Sequence, residues 1–354
     1  MPSTMTLLEI DDLQLGLRTA DGIVHALRGA TLRVNEGEVL AVVGESGCGK
    51  TVTMQTVLGL FSKREIAYRQ GRVAFAGRDL LELSEDEMRR LRGSQISMIF
   101  QDPMTALNPT LTIGHQISEA ILAHRRLSRA AAMREAVALL SQVGVPQPEM
   151  RAAQYPFQLS GGLRQRAVIA SALACGPRLL IADEPTTALD VTIQAQILAL
   201  LRSLQRQYGM AIILVTHDLG VVAEMADRVA VMYAGRIDEE GPIDAIFSRP
   251  SHPYTWGLLE CLPRLTTLRS QKLRTIEGAP PDLAGPLPGC AFADRCAHAM
   301  SVCWEYLPPM FDAGTKHQSA CWLLHPHAAP IAEATRLRQS ASAPDEEGLP
   351  RGRA

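Results

Sequence analysis

The segment Gly44-Glu45-Ser46-Gly47-Cys48-Gly49-Lys50-Thr51 restricts the fold more than any other part of this chain. It fits G-x-x-x-x-G-K-[ST] and directly follows the apolar run Val39 to Val43. Glycines let a loop curl until successive backbone N–H groups point inward at an anion. A helix opening at the end of the loop adds the positive end of its dipole. The lysine brings a point charge to the β- and γ-phosphates of a nucleotide, and the hydroxyl beside it binds Mg²⁺. The residues expected around the phosphates are Gly44, Glu45, Ser46, Gly47, Cys48, Gly49, Lys50, Thr51 and Val52. Cys48 lies inside the loop, where its backbone matters more than its thiol.

The texture around this loop is α/β. Leu179 to Ala182 and Ala211 to Val215 are apolar runs of the kind that form buried parallel strands. Arg129 to Val143 is rich in Ala and Leu at helical spacing and ends at Gly144, and a second helix is expected from Val191 to Tyr208, stopped by Gly209. Strand signals are scarce between Gln101 and Gly176, so a helical insert is expected over about residues 102–175. The texture changes after His252-Pro253-Tyr254, and residues 278–288 are proline-rich. With 354 residues, two units are expected: an ATPase domain over 5–250 and a smaller C-terminal domain over 251–327, followed by a disordered tail over 328–354.

Composition removes several classes of function. Net charge is -2, from 35 basic and 37 acidic residues, which argues against a nucleic-acid-coating or polybasic membrane surface. No apolar run approaches the roughly 20 residues needed to cross a bilayer. The start, MPSTMTLLEIDD, has no basic n-region, so it does not read as a secretory signal. A cytosolic chain that docks onto a membrane protein remains open.

Leu179 to Ala182 runs into Asp183-Glu184-Pro185. A carboxylate at the end of a strand can hold Mg²⁺, and the next one can orient or deprotonate an attacking water. Many strands end in a charged turn, but beside the phosphate loop the functional reading is favoured. Three further motifs complete a pattern: Leu159-Ser160-Gly161-Gly162-Leu163-Arg164-Gln165-Arg166, Gln101 after Ile96 to Phe100, and Val215-Thr216-His217-Asp218. Taken singly they are a helix N-cap, a strand cap and a turn histidine. Together with Ala188-Leu189-Asp190, in this order, they resemble the motifs of ABC-type ATPases over about residues 6 to 325.

The resemblance implies roles for these residues. Glu184, His217 and Gln101 form the catalytic set; Thr51, Gln101 and Asp183 hold Mg²⁺. Ser160, Gly161 and Gly162 complete the ATP pocket of an opposite subunit, and Ala188 to Asp190 matches the family's D-loop. One departure concerns adenine. The family stacks an aromatic residue on the base, but Leu15-Gly16-Leu17-Arg18 has none, leaving apolar contact from Leu17 or Val24.

Subfamily markers lie outside these motifs. Phe100-Gln101-Asp102-Pro103-Met104-Thr105-Ala106-Leu107-Asn108-Pro109, Tyr155-Pro156-Phe157-Gln158, Pro250-Ser251-His252-Pro253-Tyr254-Thr255 and the stretch Pro288 to Cys296 are similar to the dipeptide/oligopeptide importer ATPases. The resemblance implies two transmembrane permease subunits and a second ATPase subunit as partners, with an extracytoplasmic peptide-binding protein acting indirectly. It also implies a peripheral place on the cytoplasmic face of the inner membrane. A nickel or oligosaccharide importer, or a soluble ABC ATPase without transport, is the alternative. One signature motif and no heptad run argue against the last.

Four of the seven cysteines, Cys290, Cys296, Cys303 and Cys321, fall near the C-terminus with spacing C-x5-C-x6-C-x17-C. Such clustering in a loop-rich stretch reads as a Cys₄ metal site rather than a set of structural thiols. The spacing matches neither ferredoxin pattern and lacks the close pairs typical of Zn²⁺ sites. The resemblance to the importer ATPases, some of which carry a 4Fe–4S cluster here, implies iron–sulfur over zinc.

Overall fold

A computed structural model of the chain describes residues 5–187, 189–261 and 275–328. Ala188 of the expected D-loop and residues 329–354 of the expected tail lie outside the described residues. The chain divides into two compact units, one spanning Met1–Ile237 with Ala279–Leu287, the other Asp238–Gly278 with Pro288–Ala354. The sequence reading places this change after residue 250.

The first unit begins with strands β1 (Thr6–Thr19), β2 (Gly22–Asn35) and β3 (Val39–Val43), then helix α1 (Lys50–Val57). It continues through β4 (Ile66–Phe75), β5 (Arg78–Asp79), α2 (Glu85–Leu91) and β6 (Ile96–Ile99). Five helices follow without an intervening strand: α3 (Pro103–Ala106), α4 (Ile113–His124), α5 (Arg129–Gln142), α6 (Pro148–Ala152) and α7 (Gly161–Ala172). The unit closes with β7 (Leu179–Asp183), α8 (Val191–Tyr208), β8 (Ala211–Thr216), α9 (Leu219–Met225) and β9 (Arg228–Tyr233).

Every residue of β3, β7 and β8 is buried, as expected of parallel strands covered on both faces. Within the unit these strands run in the order β9-β3-β8-β7-β6, all parallel. A second, antiparallel sheet has the order β2-β1-β4-β5. Its long hairpin was not legible in the sequence. β1 carries Glu9, Asp11 and Asp12 among its apolar residues, and its pairing with β2 shifts register four times, so strict alternation never develops.

The helical insert is built by ordinary helix chemistry. Ser128 accepts from Ala131 N–H at the start of α5, and Ser160 does the same for Leu163 N–H at the start of α7. Buried Ile113, Ile117 and Ile121 on α4 share a core with Ala132, Ala136 and Leu140 on α5.

The second unit starts inside β10 (Arg236–Pro242) and contains α10 (Ile243–Ser248), α11 (Pro253–Glu260), α12 (Ser301–Glu305), β11 (Phe311–Gly314) and β12 (His317–Ser319). Its boundary falls earlier than residue 250 because Glu239, wholly buried, organises the segment beyond it. One carboxylate accepts from Ser251 N–H at 2.6 Å, from His252 N–H at 3.0 Å and pairs with His317 Nε2 at 2.7 Å. His252 in turn accepts from Tyr254 N–H at 3.1 Å and opens α11, with Pro253 in its first turn. The His-Pro-Tyr segment is therefore a structural cap packed on Phe292, whose ring centroid lies 5.4 Å from that of Tyr254.

Candidate nucleotide site

The parallel sheet delivers the functional side chains to one edge. β3, β6, β7 and β8 run the same way, so the phosphate loop, Gln101, the Asp183–Glu184 pair and His217 all follow the carboxyl ends of their strands. This is where open α/β sheets bind ligands.

The phosphate loop has little room for other residues. Gly44 has φ of 154°, and a Cβ there would lie 2.2 Å from the Met232 carbonyl oxygen. Gly49 caps α1 with φ of 105°. Lys50, only 6% exposed, donates from Nζ to the carbonyls of Gly44 at 2.7 Å and Glu45 at 2.9 Å. The Cys48 thiol lies 3.6 Å from the same nitrogen; burial raises its pKa, against the opposing pull of Lys50. Thr51 Oγ1 donates to Asp183 Oδ1 at 3.1 Å, so the two oxygens proposed for Mg²⁺ already face each other.

Glu184 is the hub. Gln101 Nε2 donates to its Oε2 at 2.9 Å, Thr187 Oγ1 donates to the same oxygen at 2.8 Å, and His217 Nδ1 meets Oε1 at 2.9 Å. Because a carboxylate only accepts, His217 donates to it from Nδ1–H. Glu184 also holds φ of 46°, the left-handed region, which costs about 1 kcal/mol or more and is a frequent mark of functional sites.

The two neighbouring carboxyls are tuned apart. Burial raises Asp183, which is 2% exposed, and nearby Glu184 adds to that; Thr51 and Lys50 pull the other way. For Glu184 burial also acts upward, but hydrogen bonds from His217 and Thr187, with the charges of His217 and Lys50, hold it below the ordinary carboxylate range. Glu184 is therefore the carboxylate that stays ionised, as a group orienting water must.

Two residues here were not singled out in the sequence. Thr187 is visible only as a hydroxyl three residues beyond Glu184, one turn away. Gln165 is 1% exposed and donates from Nε2 to the Pro185 carbonyl at 2.6 Å, fixing the turn after Glu184 from α7. Its place in the signature motif was the available signal. Ser160, the N-cap, and Gly161, the first residue of α7, are exposed, while Gly162 packs beside Ile193 of α8. Asp190 caps α8 by accepting from Ile193 N–H at 2.9 Å. At the expected adenine position, Leu17 faces Val24 on β2 and Ile66 on β4, an apolar row across three strands.

The tetrathiolate expected in the second unit is not assembled. Among the described residues, no three His, Cys, Asp or Glu side chains are grouped so as to hold a metal ion. The thiols are nevertheless neighbours. Cys321 is raised by burial and further by Cys290, Cys296 and Cys303, and Cys290 is pushed up to about 12 chiefly by burial, with Asp238 and the other thiols adding to it. Neutral thiols do not attract one another, and Cys303 Sγ is engaged by Met300 N–H at 3.4 Å.

Comparison with known proteins places these features. A model of the ABC transporter family matches residues 27–187, and one for the oligopeptide/dipeptide transporter C-terminal region matches residues 239–303. The chain is 53% identical over 325 residues to the oligopeptide transport ATP-binding protein OppD of Bacillus subtilis (strain 168), covering 92% of this chain and 91% of that one. It is also 53% identical over 316 residues to the dipeptide transport ATP-binding protein DppD of the same strain, covering 89% and 94%. Among solved structures, the ATP-binding cassette MJ0796, a dimer in a post-hydrolysis state bound to ADP and Pi, superposes with a TM-score of 0.60 at 27% identity, covering 67% of this chain and 99% of that one.

Proposed function

From the premise that this chain belongs to the ATP-binding proteins of the oligopeptide/dipeptide ABC transporter family, we propose that it is the ATP-hydrolysing motor of an importer for dipeptides or oligopeptides. The observation that carries the catalytic half is the Glu184 hub, with Gln101, Thr187 and His217 converging on one ionised carboxylate. The transport half is supported by the match over residues 239–303.

In this reading the N–H groups of residues Gly44 to Val52 and the Lys50 ammonium hold the phosphates, and Thr51, Asp183 and Gln101 hold Mg²⁺. Glu184 aligns a water against the γ-phosphorus and takes its proton. His217 fixes the Glu184 carboxylate through Nδ1–H and stands beside the γ-phosphate. Ser160, Gly161 and Gly162 serve the ATP of a second ATPase subunit, the opening of α7 supplying N–H groups to its phosphates. Solvent-facing Phe100 (40% exposed), Met104 (50%) and Phe157 (65%) give the insert an apolar surface for a permease, which would hold the chain at the cytoplasmic face of the membrane. No helix among the described residues is long and apolar enough to cross a membrane itself.

The four cysteines suit a thiolate-bound metal by donor chemistry alone: four soft ligands in one unit, Cys303 and Cys321 buried and Cys290 and Cys296 partly so. We assign them to a 4Fe–4S cluster, with Zn²⁺ as the competing occupant. It would tie together a loop-rich unit and takes no part in hydrolysis. Iron and sulfide assays after anaerobic purification separate the two metals.

The test of the whole reading is reconstitution with the cognate permease and binding protein in vesicles. Uptake of a labelled dipeptide or oligopeptide should require ATP and stop in Glu184→Gln. Uptake of nickel or an oligosaccharide instead would overturn the peptide assignment, and ATP hydrolysis with no partner-dependent uptake would overturn transport.

A further inference from the structure

We propose that Arg28 is a positioning residue for the phosphate loop, clamping it to the proline-rich strap Ala279–Leu287. The inference rests on reading Gly44–Thr51 as the ATP site. β2 is the outer strand of the antiparallel sheet, and the strap meets it: His25 N–H donates to the Leu283 carbonyl at 2.8 Å. Arg28, three residues on, reaches in two directions. Its Nη2 donates to the Leu287 carbonyl at 2.8 Å, and its Nη1 lies 3.4 Å from the Ala234 carbonyl. Its backbone N–H donates to the Gly235 carbonyl at 2.9 Å.

The Ala234–Gly235 turn links this clamp to the nucleotide site. Gly235 N–H donates to the Cys48 carbonyl at 2.8 Å, inside the phosphate loop. The turn has no slack, because a Cβ on Gly235 would lie 2.6 Å from the Ala26 carbonyl oxygen and 3.0 Å from Leu27 Cα. Both turn residues are in the left-handed region, Ala234 at φ of 46° and Gly235 at 79°. A Cβ on Gly49 would come within 3.0 Å of the same Ala26 oxygen. The turn is thus wedged between β2 and the phosphate loop, and Arg28 holds it from the far side.

The strap suits such a role. Pro280, Pro281 and Pro286 fix φ on either side of the turn at residues 283–285, so the segment has little conformational entropy left to lose. Its flanking residues, Gly278 and Pro288, belong to the second unit. Arg28 serves the two carbonyls from separate terminal nitrogens of a rigid fork, a span that the single Nζ of a lysine does not match. Arg28 therefore passes the order of the strap to the loop that receives ATP.

The experiment is a double-mutant cycle on the full chain, with Mg-ATP binding read by calorimetry and hydrolysis read beside it. Arg28→Ala should weaken ATP about tenfold, the worth of one charge-assisted hydrogen bond, and raise KM while kcat at saturating ATP is kept. Arg28→Lys should fall between the two. Pro280→Gly with Pro281→Gly should weaken ATP several-fold alone, yet add nothing in the Arg28→Ala background. Wild-type affinity in Arg28→Ala, or full additivity with the proline pair, overturns the clamp. Should Arg28→Ala fail to fold, Arg28→Lys replaces it in the same cycle. Absence of ATP binding in the unmutated chain would instead overturn the phosphate-loop reading.

Discussion

At the carboxyl edge of the parallel sheet, Asp183, Glu184 and His217 stand on or just beyond strands buried along their length. The four cysteines of the second unit are carried by turns and helices of a few residues. The first cluster is closed by its own hydrogen bonds, each at a fixed register of the sheet. The second is brought near but left open, with burial raising the thiols of Cys290, Cys296 and Cys321. A rigid frame can pre-arrange a site before its ligand arrives, whereas a weakly cored segment needs the ligand to complete it.

The largest test of that contrast is Glu184→Gln. A framed site should keep its shape, so ATP binding should persist while hydrolysis falls about a thousandfold, measured as phosphate release. Parent-rate hydrolysis would remove Glu184 from its role. Next comes Lys50→Ala, expected to weaken ATP about a hundredfold by calorimetry, because a buried point charge facing the phosphates is lost. Thermal unfolding should be nearly unchanged.

In the second unit the order is reversed, with stability moving before activity. If the proposed cluster is held there, Cys321→Ser should abolish bound metal and lower the melting temperature by about 4–8 °C, followed by calorimetry and iron analysis. Equal metal content in the variant would show that the four thiols are not one site. The thiol acidities sharpen this further. Burial pushes the Cys290 thiol up from its ordinary 9.0 to about 12, so in the folded state its charged form is disfavoured. Metal-free protein should accordingly keep full stability below about pH 9 and lose it as pH climbs toward 12, followed by denaturant titration.

The smallest effect concerns Glu184, whose folded value is depressed despite burial by His217 and Thr187. A depressed carboxyl contributes stability above its unfolded pKa and loses it as pH falls through the folded one. Removing the imidazole in His217→Ala should move the Glu184 titration upward, visible by carboxyl NMR. An unmoved titration would mean the 2.9 Å contact is not a working hydrogen bond.

The parts of the molecule that were legible share a local cause. The strand from Val39 to Val43 was read with its exact limits, and the helix at Val191 ends at Gly209 because that residue takes φ of 63°. The Leu179 strand runs one residue further than read, to Asp183, carrying its carboxylate into the buried edge. What could not be read depends on partners distant in sequence. Gly16 sits between His25 on β2 and Tyr68 on β4, and the missing side chain is what lets Tyr68 OH reach His25 Nδ1. No local pattern reveals that row. The cysteine spacing likewise announced a cluster but not its geometry, since loops rather than a repeating backbone bring the thiols together.

The order of strands also sets a timetable. Val39 lies against Ile212, and Leu40 against Arg228, so the strand that ends in the phosphate loop pairs only with strands made much later. While the chain is being synthesised, β3 is an apolar ribbon with both edges bare, a species prone to sticking to others of its kind. Such long-range parallel pairing also folds slowly. A ribosome must deliver β9 before any competent phosphate loop can exist, so a truncated product ending before Arg228 would bind no ATP however intact its first half.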